Sequence, residues 1–213
     1  MYNGDGQTPP AYLGKDFAAA HQHYLVSEAA VIDSGDFETA VRKVTEHGYG
    51  TDANSRLLAL MNPAQAEVVS QWKTGEESAT GVVAKHDYIP SAGAPAYLQP
   101  ENIIGQIAPA TYNGLRVEGS YGPTLVIQSD FIPAGYFAVV ATYGTNHKDN
   151  AIGFREHVQA QYRGLRTIPG SSEFPLQDAF FTRAFGVGVR RRGQACVVQI
   201  KANGSYDIPN IPK

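Results

Sequence analysis

Between Ser34 and Gly48 the apolar positions Phe37, Ala40, Val41 and Val44 fall three and four apart. That spacing places them on one stripe of an α-helix. Ser34-Gly35-Asp36 opens it with a capping residue and a first-turn acid. Arg42, Lys43 and His47 suit its negative end, and Gly48 stops it. The period then changes. Leu57 to Met61 is a continuous apolar run, short enough for a buried strand. It ends at Asn62-Pro63, a helix cap followed by proline in the first helical position. Ala64, Val68 and Trp72 give that second helix its apolar face, and Gly75 follows it. Residues 35–74 thus read as helix–strand–helix, an arrangement that packs onto a sheet in an α+β domain.

Residues 76–109 are rich in Gly, Pro and Ser and read as loops. Strand patterns follow at Tyr112 to Val117, Thr124 to Gln128 and Tyr136 to Tyr143, with a turn over Asp130 to Gly135. Residues 144–175 read as irregular. Two extended runs close the chain, Phe180 to Val189 and Ala195 to Ala202, and Asn203-Gly204 marks a further turn. Between the two runs stands Arg190-Arg191-Arg192-Gly193. Antiparallel pairing would make these arginines the polar tip of a long hairpin. Alternation would then put Phe181, Arg183, Phe185 and Val187 on one face. A two-stranded ribbon is marginal alone and must pack on something. No internal repeat is present, and the first 33 residues give no clear element beyond the break at Pro9-Pro10.

Composition bounds the picture without deciding it. The 213 residues are 43% hydrophobic and 17% charged, enough for one large domain or two small ones with a real core. The N-terminus has no basic and apolar signal pattern. No apolar run approaches the roughly 18 residues of a membrane helix. One cysteine, Cys196, excludes an intrachain disulfide and fits synthesis in a reducing cytoplasm. The net charge of −3 hides a split: residues 1–141 carry 7 Lys+Arg against 15 Asp+Glu, and residues 142–213 carry 10 against 5. Opposite charge at the two ends suits neighbouring copies that meet by unlike surfaces.

Candidate chemistry is sparse. His21-Gln22-His23 puts two imidazoles on one face if it is a strand, which suits a metal. With Glu28 and the flanking Gly14 and Gly35, the spacing resembles the first cupin motif. That resemblance implies a metal-dependent enzyme using His21, His23 and Glu28. The second cupin motif is incomplete: Pro133-Ala134-Gly135 is present, but Ala138 stands where the fourth ligand belongs. Gly48-Tyr49-Gly50 and Gly186-Val187-Gly188 lack the continuation of a phosphate loop and read as turns. Cys196 lies between apolar neighbours and reads as a small buried hydrophobe rather than a nucleophile. No G-x-S-x-G occurs. The stretch 183–201 is basic enough to consider as a nucleic-acid contact, but no aromatic residues interleave Arg190, Arg191 and Arg192, and the whole chain is negative.

Several stretches, in order, resemble a known family. HQHYLVSEAAVIDSGDFETAVRKVTEHGYG, RLLALMNPAQAEVVSQW, PTLVIQSDFIPAGYFAVV, GFREH with YRGLRTIPG, and FPLQDAFFTRAFGVGVRRRGQACVVQIKANGSYDIP span about 180 residues. They resemble the C-terminal part of a tailed-bacteriophage major capsid protein of the Hong-Kong-97 type, especially those of actinobacterial phages. The resemblance implies an α+β fold with an axial-domain sheet flanked by helices and a long β-ribbon of the peripheral domain. It divides the chain into a lead-in segment at 1–33, an axial-domain-like region at 34–145 and a peripheral-domain-like region with a closing ribbon at 146–213. The family's N-terminal arm, extended loop and spine helix have no visible counterpart, as in a fragment or a short relative.

The function so implied is structural: a virion shell subunit, made in the bacterial host, with no catalysis and no cofactor. Its partners would be copies of itself, as pentamers and hexamers, with packaged DNA as a non-specific contact and no membrane. Arg155, Arg163, Arg190, Arg191 and Arg192 are then candidates for subunit contact. The encapsulin-like shell of a bacterial nanocompartment shares the fold and is the close alternative.

Overall fold

The computed structural model describes residues 23–27, 29–77, 81–91, 109–156, 164–168, 178–182 and 184–202. The chain forms two compact units, residues 1–151 with 191–213, and residues 152–190.

The first unit opens with β1 (Tyr24–Ser27) and α1 (Ser34–Thr45). The cap of α1 is Asp33 and not Ser34. Asp33 is extended, and its carboxylate accepts the Gly35 N–H at 2.8 Å. Ser34 lies inside the first turn, buried, and its hydroxyl has no hydrogen-bond partner among the described residues. An aspartate caps as well as a serine and adds negative charge at the positive end. Phe37, Ala40 and Val44 are buried as their stripe predicts, with Val41 half-buried at its edge.

Then come β2 (Arg56–Met61) and α2 (Pro63–Val69). Asn62 caps α2, its side-chain oxygen accepting from the Ala64 N–H at 3.2 Å. The apolar face of α2 holds in part: Val68 packs against the core beside the buried Ala66 and Val69, while Ala64 is exposed. Two positions are about 200° apart around a helix, so Ala64 and Ala66 cannot share a face. Trp72 reaches the core from the turn beyond the helix.

The remaining strands are β3 (Tyr88–Pro90), β4 (Thr111–Tyr112), β5 (Leu115–Arg116), β6 (Gly119–Tyr121), β7 (Thr124–Gln128) and β8 (Tyr136–Thr142), then β9 (Ile152–Glu156), β10 (Gly164–Ile168), β11 (Asp178–Thr182), β12 (Phe185–Val189) and β13 (Ala195–Ile200). The expected strand from Tyr112 to Val117 is in fact the hairpin β4–β5. Asn113 and Gly114, with φ of 48° and 81°, form its two-residue turn. Positive φ at both positions is the hairpin geometry that Asn-Gly favours.

Seven strands build an open mixed sheet in the order β1-β13-β8-β2-β7-β6-β3. It is parallel at β1/β13 and β2/β7 and antiparallel elsewhere. In register, Cys196, Val139, Ala59 and Val126 form a row across four strands. That row and its neighbours Leu57, Met61, Phe137 and Val198 pack with α1 and α2 in one core. Phe37 is its hub, stacked on Phe137 at 5.8 Å and edge-on to Trp72 and Tyr121. A smaller cluster of Leu58, Val117, Leu125 and Ile127 covers the other face. The central strand β2 is therefore buried on both sides, which explains its unbroken apolar run.

The closing ribbon is corrected. β12 pairs antiparallel with β9, and β11 with β10. β13 pairs with neither; it enters the seven-stranded sheet between β1 and β8. The expectation assumed that strands adjacent in sequence pair, which is the common case but not this one. Ile152–Glu156, read as irregular, supplies the missing partner. The turn expected at Asn203-Gly204 lies outside the described residues.

Candidate subunit interface

The arginine run is a junction and not a hairpin tip. It joins β12 to a 3-10 turn over Arg192–Gln194 and so to β13. Arg191 donates to the Asp149 carboxylate at 2.6 Å. Gln194, fully buried, donates its side-chain amide to the Asp149 backbone carbonyl at 2.6 Å. One residue thus receives both partners. Arg190 is exposed, and its guanidinium lies where a side chain on Gly153 would sit. Gly153 faces Gly188 in the register of β9 and β12, and it is the missing side chain of Gly153 that leaves room for Arg190.

Arg155 is also exposed on β9, across from Gly186. The β9–β12 pair has two unlike faces. Ile152 and Phe154 alternate with Gly153 and Arg155, while Phe185, Val187 and Val189 alternate with Gly186 and Gly188. The register puts those five large apolar residues on one face. All five are between 48% and 63% exposed. Phe154 and Phe185 stack there at 5.1 Å. Arg163 lies outside the described residues.

The other candidates separate clearly. Cys196 is buried in the central sheet, and burial pushes its thiol up to about 12. A thiol so held is not a nucleophile. His21 and Glu28 lie outside the described residues. His23 precedes β1, its Nδ1 at 2.9 Å from the Ala195 carbonyl and its Nε2 at 2.9 Å from His47 Nε2. The cupin reading is overturned by the fold. α1 occupies the place where a cupin barrel needs a strand, and the sheet is open. Among the described residues no three His, Cys, Asp or Glu side chains gather as a metal site. Gly48 and Gly50, both with φ of +77°, are turn residues as expected, whereas Gly186 and Gly188 lie inside β12 and not in a turn. Among the described residues no helix is long and apolar enough to cross a membrane.

Sequence reasoning missed the apolar face because it paired β12 with the wrong strand. The available signal was the matched alternation I-G-F-R at 152–155 and F-G-V-G-V at 185–189. It missed the approach of His47 to His23, which no motif announces.

No protein-family model matches the sequence, and no curated protein matches it. A solved chain from Mycobacterium phage Patience is 39% identical to it, with a TM-score of 0.77. The match covers 98% of this chain and 56% of that one, so the chain spans little more than half the length of its relative. A solved chain from the capsid of an empty GTA particle aligns at 17% identity and a TM-score of 0.42, over 83% of this chain and 49% of its own, too distant to bear on the fold. The likeness to the phage chain runs through nearly the whole of this chain, and with it through the stretches that resemble phage capsid proteins.

Proposed function

We propose that this chain is a structural subunit of an icosahedral phage shell, which assembles with copies of itself to enclose the genome and carries out no catalysis. The observation that carries this reading is the apolar face of β9–β12. Five large apolar side chains on a two-stranded ribbon are a poor surface for an isolated soluble chain. They suit a surface that assembly covers. In this reading the seven-stranded sheet is the axial domain and residues 152–190 belong to the peripheral domain. Arg155, Arg163 and Arg190 to Arg192 supply charge for neighbouring copies, whose acidic surface is the first 141 residues. Packaged DNA would meet the same arginines without sequence preference.

The test is the mass of the purified chain by light scattering, with negative-stain imaging of any large fraction. Rings or closed particles support the reading. The variant Ile152→Asp with Val187→Asp should then shift the mass toward the monomer. Assembly unaffected by two charges on that face would remove its supporting observation. A wild-type chain that stays monomeric at every concentration would count against assembly by this chain on its own.

A further inference from the structure

Phe131 is 97% exposed, in the turn between β7 and β8. That turn is anchored. The Phe131 N–H donates to Ser129 Oγ at 3.3 Å, and the Ile132 N–H to the Ser129 carbonyl at 3.2 Å. The Asn62 side-chain amide donates to the Ile132 carbonyl at 3.2 Å, and the Ser129 N–H to the Met61 carbonyl at 2.9 Å. The ring is thus a knob on a held turn, and the exposed Asp130 precedes it. At the opposite end of β7 lies an open hollow of about 680 Å³. Ile89, Pro109, Pro123 and Leu125 give it apolar walls, and Arg56 and Asp52 add one charge of each sign. Leu57 to Met61 runs beside Thr124 to Gln128 in parallel register, so the hollow stands at the start of both strands and Phe131 beyond their end.

We propose that Phe131 of one copy seats in this hollow of a second copy, with Asp130 against Arg56. The proposal rests on the shell reading for the identity of the partner, a second copy of the chain, and names one contact within it. Five strand residues and the turn set knob and hollow about 15–20 Å apart, so a chain does not fill its own hollow. A contact between unlike patches passes from copy to copy, and closes into a ring where the rotation allows. An exposed aromatic ring contributes most to association when a partner's apolar pocket removes it from water. The hydrogen bonds that already hold the turn lower the cost of ordering it on binding. Asp130 sets the orientation. Seating that brings it to Arg56 attracts, and seating that brings it to Asp52 repels.

The test is a photocrosslink on the full chain. Phe131 is replaced by p-benzoylphenylalanine, an aromatic residue that bonds to neighbouring C–H groups under near-ultraviolet light. Peptide mapping of the crosslinked dimer is expected to place the bond on the hollow of the second copy, at residues 50–57, 89, 109 or 120–125. A bond elsewhere, or none at the highest soluble concentration, overturns the proposal. The two readings fail separately. Closed particles without the hollow crosslink keep the shell and remove this contact. The hollow crosslink in a chain that never closes a ring or particle keeps the contact and removes the shell. Sedimentation velocity gives a second readout. Phe131→Ala should weaken self-association by about tenfold or more, and Asp130→Arg should weaken it in the same direction. Both positions are exposed, so the thermal midpoint of the unassembled chain should not move. Self-association unchanged in Phe131→Ala overturns the proposal.

Discussion

Arg191 and Asp149 meet at 2.6 Å, and the Asp149 backbone carbonyl also accepts the buried Gln194 amide at 2.6 Å. The two bonds differ in worth. The Arg191–Asp149 pair is 43% and 28% exposed, so solvent screens it and its loss costs at most about 1 kcal/mol. Gln194 is fully buried, so Gln194→Ala empties a filled site and takes the partner from the part-buried Asp149 carbonyl, which costs about 1–3 kcal/mol. Urea denaturation is therefore expected to rank Gln194→Ala well above Arg191→Ala. Equal costs would mean that the ion pair, and not the buried amide, fixes the junction.

The cap of α1 gives a second contrast. Asp33 accepts the Gly35 N–H, while the Ser34 hydroxyl is buried and unpaired among the described residues. Asp33→Ala is expected to cost about 1 kcal/mol, the usual value of a lost cap. Ser34→Ala should cost nothing or stabilise slightly, since it removes a buried polar group and adds a better helix former. The midpoint of chemical denaturation for each variant decides between the two residues.

Two glycines with the same backbone angle separate strain from collision. Gly48 and Gly50 both have φ of +77°. A methyl group at Gly48 meets nothing within 4 Å, whereas one at Gly50 runs into the Leu57 side chain. Gly48→Ala should cost about 1–2 kcal/mol from the left-handed backbone alone. Gly50→Ala should cost more, because Leu57 is itself fixed in the core. If the two variants melt together, Leu57 yields freely and the core beneath it is not closely packed.

Phe37 and Phe131 are the extremes of aromatic placement. Phe37 is buried against three other rings, and Phe131 is 97% exposed on the turn between β7 and β8. Phe37→Ala is expected to destabilise by about 3–5 kcal/mol. Phe131→Ala should stay within about 0.5 kcal/mol of the wild type in the unassembled chain. A large loss at Phe131 would show that its ring packs in the folded state.

The sequence was legible where one local rule dominated. The stripe of α1, the Asn62-Pro63 start of α2 and the unbroken apolar run of β2 each follow from burial on a known number of sides. It was least legible where pairing is non-local. Nothing near Ala195 says that β13 lies beside Val139 and not beside Val189, since either strand offers β-branched neighbours. One clue was readable: Cys196 and Val198 are buried with no glycine between them, whereas β12 spends alternate positions on glycine. A strand that fills both faces belongs inside a sheet. His47 was invisible for a related reason, because its partner His23 is brought to it only by the placement of β1 beside β13.

Cys196 carries the last prediction. Burial in the sheet raises its thiol from 9.0 to about 12, with nearby Lys43 opposing the shift. At pH 8 the native thiol should therefore resist a disulfide reagent and react fully only when the chain is unfolded. The sign of the stability change follows from proton binding. Between about pH 9 and 12 the unfolded chain loses the thiol proton while the folded chain keeps it. Unfolding then releases a proton, so stability falls as pH rises through that window and is fully present below it. Tyr88, raised by burial to about 12 from 10.0, adds to the same fall above pH 10. Cys196→Ala should make the decline between pH 9 and 10 shallower. Its neutral-pH stability should drop by no more than the loss of one small buried side chain, since Cys here acts as a hydrophobe. An unchanged alkaline slope in Cys196→Ala, or fast labelling of the native thiol, would place Cys196 in a wetter setting than the row of Val139, Ala59 and Val126 provides.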